Sequence, residues 1–232
     1  MGNRISQQVL DSHLEVSYYV EQNVHNGNHL KTYYINLDHR SDRRQEIEPE
    51  LMRMNLSFTR VPAIKHNIGV LGCTQSHIKT LKQGIASGAD HILVFEDDFY
   101  FTMDDASSLH QLLQHVMQTN YDVFLLGYCY LDKKNMFATS DKLLKKVFQA
   151  ACTHGYMVNK NYAKKLLQNF EVGFLENANK QKPTPVDEHW KLLQNDDLWL
   201  CNASGPCGLQ REGFSDIDNE LKWDIKTKDH LF

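Results

Sequence analysis

From Lys31 onwards, short apolar runs alternate with amphipathic stretches along the chain. Residues 32–37 read as a strand, and Ser41 stands as the N-cap of a helix that begins at Asp42. Pro49 is expected to kink or end that helix early. Residues 58–61 form a second short strand. Residues 72–86 carry Ile78, Leu81 and Ile85 on one face and close at Gly88, the pattern of a helix with glycine just past its end. Residues 91–95 are a run of apolar β-formers and predict a buried strand. The pattern continues with a helix over 105–117, a strand over 122–126, a loop or hairpin over 127–140 and strands over 144–150 and 155–159. A helix over 161–169 turns Ala163, Leu166 and Leu167 inward. A polar, mobile-looking segment over 176–184, a helix starting within 185–193 and a last strand over 197–201 complete it. This alternation implies an α/β sandwich with a largely parallel central sheet flanked by helices.

The ends differ from the middle. Residues 1–30 lack strong periodicity and read as an N-terminal extension with a short strand at 15–20. Residues 31–218 carry the periodic pattern, and 219–232 form a tail containing Trp223. The 232 residues, 26.9 kDa, fit one large domain or two small ones. A formal charge of -4 gives no electrostatic case for nucleic acid as a partner. The five cysteines include no Cys-x-x-Cys pair, which argues against a disulfide framework or a structural zinc and for a reducing compartment. A bridge between Cys201 and Cys207 across a turn is the less favoured alternative. With no transmembrane run and no signal-peptide core, the expected location is cytoplasmic. Met1-Gly2-Asn3-Arg4-Ile5-Ser6 fits the loose myristoylation pattern and leaves peripheral membrane association open. The oligomeric state stays open.

Candidate chemistry concentrates at Glu96-Asp97-Asp98, directly after the buried strand. Carboxylates there place hard oxygen ligands at the carboxyl edge of a sheet, where open α/β folds bind ligands. Mg²⁺ or Mn²⁺ bridging to nucleotide phosphates needs such ligands. The bland alternative is a solvated turn.

Six fragments, in order, decide between them. Tyr33-Tyr34-Ile35-Asn36-Leu37-Asp38-His39-Arg40-Ser41-Asp42-Arg43-Arg44 resembles the opening signature of glycosyltransferase family 25, which holds bacterial lipopolysaccharide-type sugar transferases and procollagen galactosyltransferases. Gly72-Cys73-Thr74-Gln75-Ser76-His77 is similar to its Gly-Cys-x-x-Ser-His helix start, and Leu93 through Asp98 to its metal motif. Thr153-His154-Gly155-Tyr156 with the following helix resembles its glycine strand. Pro185-Val186-Asp187-Glu188 matches its Pro-Val-Asp-Glu motif, and Gln210 with Ser215-Asp216-Ile217 its closing segment.

The resemblance implies a GT-A type fold that binds a nucleotide-sugar donor, UDP-galactose or UDP-glucose, with Mn²⁺ or Mg²⁺. It implies that Asp98 coordinates the metal, with Glu96 and Asp216 as further ligands. Asn36 and Leu37 would then meet a uracil, and one of Arg43 and Arg44 the phosphates. Ser76, His77, Glu96, Asp97 and Gly155 complete the donor side; a histidine on an apolar-faced helix also reads as a packing residue. Asp187 would be the general base with Glu188 holding sugar hydroxyls, or the reverse. The reaction implied is transfer of a hexose with inversion, to a glycan or to hydroxylysine of a collagen-like peptide, in a bacterial or virus-infected cell. The alternative is a catalytically inactive homologue that binds a nucleotide sugar or glycan. A phosphotransfer enzyme fits poorly, because no Gly-x-x-x-x-Gly-Lys-Ser/Thr loop is present.

Overall fold

The computed structural model describes residues 29–129, 133–217 and 220–222. In chain order the elements are β1 (Leu30–Asn36), α1 (Ser41–Arg53), β2 (Phe58–Pro62), α2 (Gly69–Ala86), β3 (His91–Glu96), β4 (Phe99–Phe101), α3 (Ala106–Gln118) and β5 (Val123–Leu125). After a 3₁₀ turn at Lys133–Asn135 come β6 (Met136–Ala138), β7 (Leu144–Val147), β8 (Gly155–Asn159), α4 (Lys160–Asn177), α5 (Val186–Trp190), β9 (Trp199–Asn202), β10 (Gly208–Gln210), β11 (Gly213–Ser215) and β12 (Glu220–Lys222). The strand expected over 15–20, the acylation pattern over 1–6 and Trp223 lie outside the described residues.

Eight strands form one sheet in the order β2-β1-β3-β8-β5-β9-β7-β6. β1 pairs in parallel with β2 and β3, and β5 with β9. β8 enters antiparallel between β3 and β5, so β1, β2, β3, β5 and β9 all point one way in a mixed sheet. Strand alternation splits the core into two layers. Tyr33, Ile35, Ile92, Val94, Tyr156 and Val158 pack with α2, α4 and α5 on one face. Tyr34, Leu93, Phe95, Phe124 and Met157 pack with Ile47 and Leu51 of α1 and Leu109 and Leu113 of α3 on the other. Each such side chain contributes about 1.5–3 kcal/mol by burial. Trp190 and Trp199 stack edge to face 5.0 Å apart at the base of the first layer.

Several local expectations change. Ser41 is the first residue of α1 rather than its cap, and no side chain caps that end. Pro49 sits inside α1, which runs on to Arg53. Ile47 and Leu51, four residues apart and both fully buried, carry the helix past the missing donor. α2 starts at Gly69, a turn earlier than the pattern suggests. A Cβ at Gly69 would meet the Ile217 backbone at 2.4 Å, so glycine lets the C-terminal segment cross there. α4 extends to Asn177, well beyond the expected end. β4 and its antiparallel partner β10 are too short to leave a periodic signal. Gly88 does close α2, with φ +72.

The cysteine reading is corrected. Cys129 and Cys152 form a disulfide across 23 residues, while Cys201 and Cys207 are free and buried. Sequence spacing could not show this pairing, because the fold creates it: Cys129 bridges Ala151 as an antiparallel neighbour. Closing such a loop is worth about 3 kcal/mol against the unfolded chain. Among the described residues no helix is long and apolar enough to cross a membrane.

At the start of β3, buried His91 accepts a hydrogen bond from the Tyr121 hydroxyl through Nδ1 at 2.6 Å. Burial pushes the His91 pKa down to about 4, with Asp90 opposing. Between pH 6.5 and 4 the unfolded chain therefore takes up a proton that the folded chain refuses, so this stability is full above 6.5 and falls as pH drops towards 4. The urea midpoint of the native protein is expected to fall more steeply across that window than that of His91→Gln. Parallel slopes would refute the assignment.

Candidate active site

β1 and β3 lie side by side with Ile35 opposite Glu96, so Asn36-Leu37 and Glu96-Asp97-Asp98 leave the sheet at the same edge. They open onto one cleft, closed by the start of α2 and by residues 210–217. Asp97 is 7% exposed. It accepts from Asn36 Nδ2 at 2.7 Å and from Arg43 Nη1 at 2.9 Å, and the same Arg43 nitrogen reaches Asp98 Oδ2 at 3.1 Å. Burial raises the Asp97 pKa against the pull of Arg43 and Asn36. Asp98 is pushed up to about 7 by burial and then by Glu96, which Arg43 only partly offsets.

Glu96 points the other way. It accepts from Thr153 Oγ1 at 2.5 Å and from His77 Nε2 at 3.2 Å. Burial opposes its charge, but His77 and Thr153 outweigh that and hold its pKa well below the ordinary range. An ionised Glu96 can only accept, so His77 donates to it from Nε2, while His77 Nδ1 lies 3.1 Å from the Tyr156 hydroxyl.

Asp187 opens α5. Its Oδ2 accepts from the Cys152 N–H at 2.8 Å, and burial raises its pKa, reinforced by Glu188 and Glu96. Glu188 is on the surface, paired with Lys191. Neither lines the cleft that holds Asp97 and Asp98. Asp187 instead stands beyond Glu96, joined to it through residues 152 and 153.

The structure sorts the remaining expected residues. Arg43 enters the cleft; Arg44, one position on, points outward to Glu48 at 2.8 Å. Leu37 lines the cleft. The Asn36 amide is already committed to Asp97, the Arg40 carbonyl and Arg60, so it braces the floor rather than waiting for a base. Ser76 bonds within its own region, donating to the Gly72 carbonyl and accepting from the Ile64 N–H. The earlier start of α2 also moves Ser76 and His77 away from the helix N-terminus. At Gly155, a Cβ would meet the Phe99 ring at 2.6 Å, so glycine serves packing there, not the approach of a ligand. Asp216 is held by Arg40 and by His39. Arg40 and Arg43 also donate to the Phe214 carbonyl, at 3.2 and 2.8 Å, tying the C-terminal segment across the cleft mouth.

Lys65 and His66 line that mouth and were not singled out in the sequence. They lie in an aperiodic loop between β2 and α2, where no pattern marks them. Among the described residues the acid triplet does not converge on one point. The clusters whose donor atoms lie within 4.8 Å of one another are Cys73-His77-Glu96 and Cys129-Cys152-His154.

The sequence profile of glycosyltransferase family 25, described as an LPS biosynthesis protein family, matches residues 67–190. That is more than half of the chain. The chain belongs to glycosyltransferase family 25. As a family member it is a glycosyltransferase, and its mixed sheet with helices on both faces is the GT-A type α/β fold that the resemblance implied. No curated protein sequence matches it. Among solved structures, A197 from STIV is similar at a TM-score of 0.43 and 11% identity, over 82% of this chain and 92% of that one. A glycosyltransferase involved in glycosylation of the major capsid of PBCV-1 gives 0.43 and 8%, over 76% and 93%. Likeness at that level carries no functional argument.

Arg43→Met leaves Asp97 and Asp98 buried without their cation. It is expected to cost about 3–5 kcal/mol in urea unfolding, with part recovered in the double variant Arg43→Met/Asp97→Asn. A loss below about 1 kcal/mol would mean that the arginine is dispensable to the cleft.

Proposed function

We propose that this family member transfers galactose or glucose from the UDP-sugar to an acceptor hydroxyl, with Mn²⁺ or Mg²⁺ and with inversion. The observation that carries the reading is the gathering of the acids on one cleft, with Asp98 sharing a single Arg43 nitrogen with Asp97. Three acids stand at the sheet's carboxyl edge, Arg43 is the cation bonded to two of them, and Asp98 is left with its pKa pushed up to about 7. The carboxylate oxygens gathered there suit a hard divalent ion.

Asp98 would hold the metal, with Asp216 joining from the C-terminal segment and Glu96 reaching the ribose or a metal-bound water. When bound, the ion supplies neutralisation of charge on the leaving diphosphate. Arg43, released from Asp98, and Lys65 at the mouth supply further donors to the phosphates. Leu37 offers a flat apolar contact to the uracil over the Asn36 floor.

Asp187 is the better base of the acid pair. Burial raises its pKa, which strengthens it as a proton acceptor, whereas Glu188 is solvated and paired with Lys191. Asp187 takes the proton of the acceptor hydroxyl as its oxygen bonds to the anomeric carbon and the diphosphate departs from the opposite face. An α-linked donor thus gives a β-glycoside. Hydroxylysine of a collagen-like peptide and a sugar hydroxyl of an oligosaccharide are the acceptor classes.

The test incubates the protein with radiolabelled UDP-galactose or UDP-glucose and Mn²⁺, offering hydroxylysyl peptides and oligosaccharides in parallel. Transfer is expected to stop with a chelator and to fall roughly 10²–10⁴-fold in Asp187→Asn, with UDP affinity nearly unchanged. In Asp98→Asn both metal-dependent UDP binding and transfer should go. Tight UDP binding with neither transfer nor donor hydrolysis would establish the binding homologue instead.

A further inference from the structure

The cluster Cys129-Cys152-His154 does not line the donor cleft, and nothing in the transfer reaction uses its side chains. His154 is fully buried, and neither ring nitrogen makes a hydrogen bond of full geometry, the Gly208 backbone being the polar group beside the ring. Buried polar atoms are nearly always bonded, so an imidazole so poorly served by the protein calls for an explanation. We propose that Cys129, Cys152 and His154 form a binding site for a soft divalent cation of the zinc class, filled when the Cys129–Cys152 disulfide is reduced.

The geometry suits such an ion. One ring nitrogen and the two sulfurs lie within 4.8 Å of one another. Tetrahedral zinc, with Zn–S of about 2.3 Å and Zn–N of about 2.0–2.1 Å, needs donors roughly 3.5–3.8 Å apart. The two Cα atoms are 5.6 Å apart, and the backbones are tied by the Cys129–Ala151 bridge. Rotation of the two side chains is therefore enough to turn a bonded pair into two ligands. The ring is held in place by a close backbone approach: a Cβ at Gly127 would meet His154 Nε2 at 2.1 Å. Burial keeps the imidazole neutral, the form that binds metal. Gln210 Oε1, 3.8 Å from Cys129 Sγ, or a water takes the fourth position.

The charges balance. A thiol or phosphine reductant delivers two electrons, and with two protons the disulfide becomes two thiols. Both protons leave as the thiolates take up one divalent ion, giving a neutral centre that needs no further counter-charge in the buried setting. Ion and disulfide are mutually exclusive. The second cluster, Cys73-His77-Glu96, is different: its imidazole and carboxylate already bond Tyr156 and Thr153, and it belongs to the cleft described above.

Cobalt(II) titrated into the full, phosphine-reduced chain tests the site. One equivalent is expected to produce thiolate-to-cobalt charge-transfer absorption, displaced by zinc and absent from the oxidised protein. Cys152→Ser and His154→Asn should weaken cobalt binding at least 100-fold, whereas Cys73→Ser leaves it unchanged. Should these variants fail to fold, peptide mapping of the native chain decides: zinc should protect Cys129 and Cys152 from alkylation after reduction. No charge-transfer band, a band lost in Cys73→Ser, or alkylation of Cys129 and Cys152 at the same rate with and without zinc would each overturn the proposal.

Discussion

The buried contact of Asp97 with Asn36 and Arg43 is the constraint on which the cleft depends. A carboxylate removed from water costs several kcal/mol unless its partners are complete. Here the partners come from two other places in the chain: the end of β1 and the first turn of α1. The acid thus locks the tips of two parallel strands and a helix into one arrangement. Arg43 extends the lock by donating to Asp98 and to the Phe214 carbonyl, while Arg40 holds Asp216. The segment that closes the cleft is bonded to the same helix start that neutralises the cleft's acids.

Strand geometry explains why three consecutive acids do three different things. Successive side chains of a strand point to opposite faces. Glu96 continues the face of Val94 and meets His77, Thr153 and Tyr156 territory, where donors stabilise its charge. Asp97 turns to the opposite side and is paired by Asn36 and Arg43. Asp98, past the end of β3, has a shared arginine, a long contact from Gln210 Nε2 at 3.5 Å and a neighbouring negative charge. Burial acts on all three; the donors available to each decide whether its pKa ends low or high. Neighbouring carboxyls pushed in opposite directions are the arrangement from which distinct chemical roles arise.

Periodicity made the sheet and most helices legible, because burial of one face leaves a repeat of two or near 3.6 in the sequence. It failed where three residues suffice, as in β4 and β10, and where packing overrode local chemistry, as at Pro49 between Ile47 and Leu51. Residues of four of the motifs line one cleft, while those at 153–156 and 185–188 stand outside it, and the motifs did not show the bonds between them. Arg43 and Arg44 are adjacent letters, yet one helical step separates a buried ion pair from a solvated one. Gly155 reads as a site glycine, while its missing Cβ makes room for Phe99. The Cys129–Cys152 pair carries no local signal at all, since its two members meet only once the antiparallel bridge at Ala151 has formed.

Residues 152–155 tie Asp187 to the acid cleft. The Cys152 N–H donates to Asp187, the Thr153 hydroxyl to Glu96, and the His154 carbonyl accepts from the Glu96 N–H at 3.0 Å. Gly155 begins β8 opposite Phe95. Asp187 and Glu96 belong to elements far apart in sequence, but their separation is set by two peptide units of this one segment. A one-residue slip of β8 against β3 would reverse the faces of its side chains and move Thr153 off Glu96. The antiparallel strand that interrupts the otherwise parallel centre of the sheet is therefore what brings the buried Asp187 carboxyl to the same edge as the acid cleft.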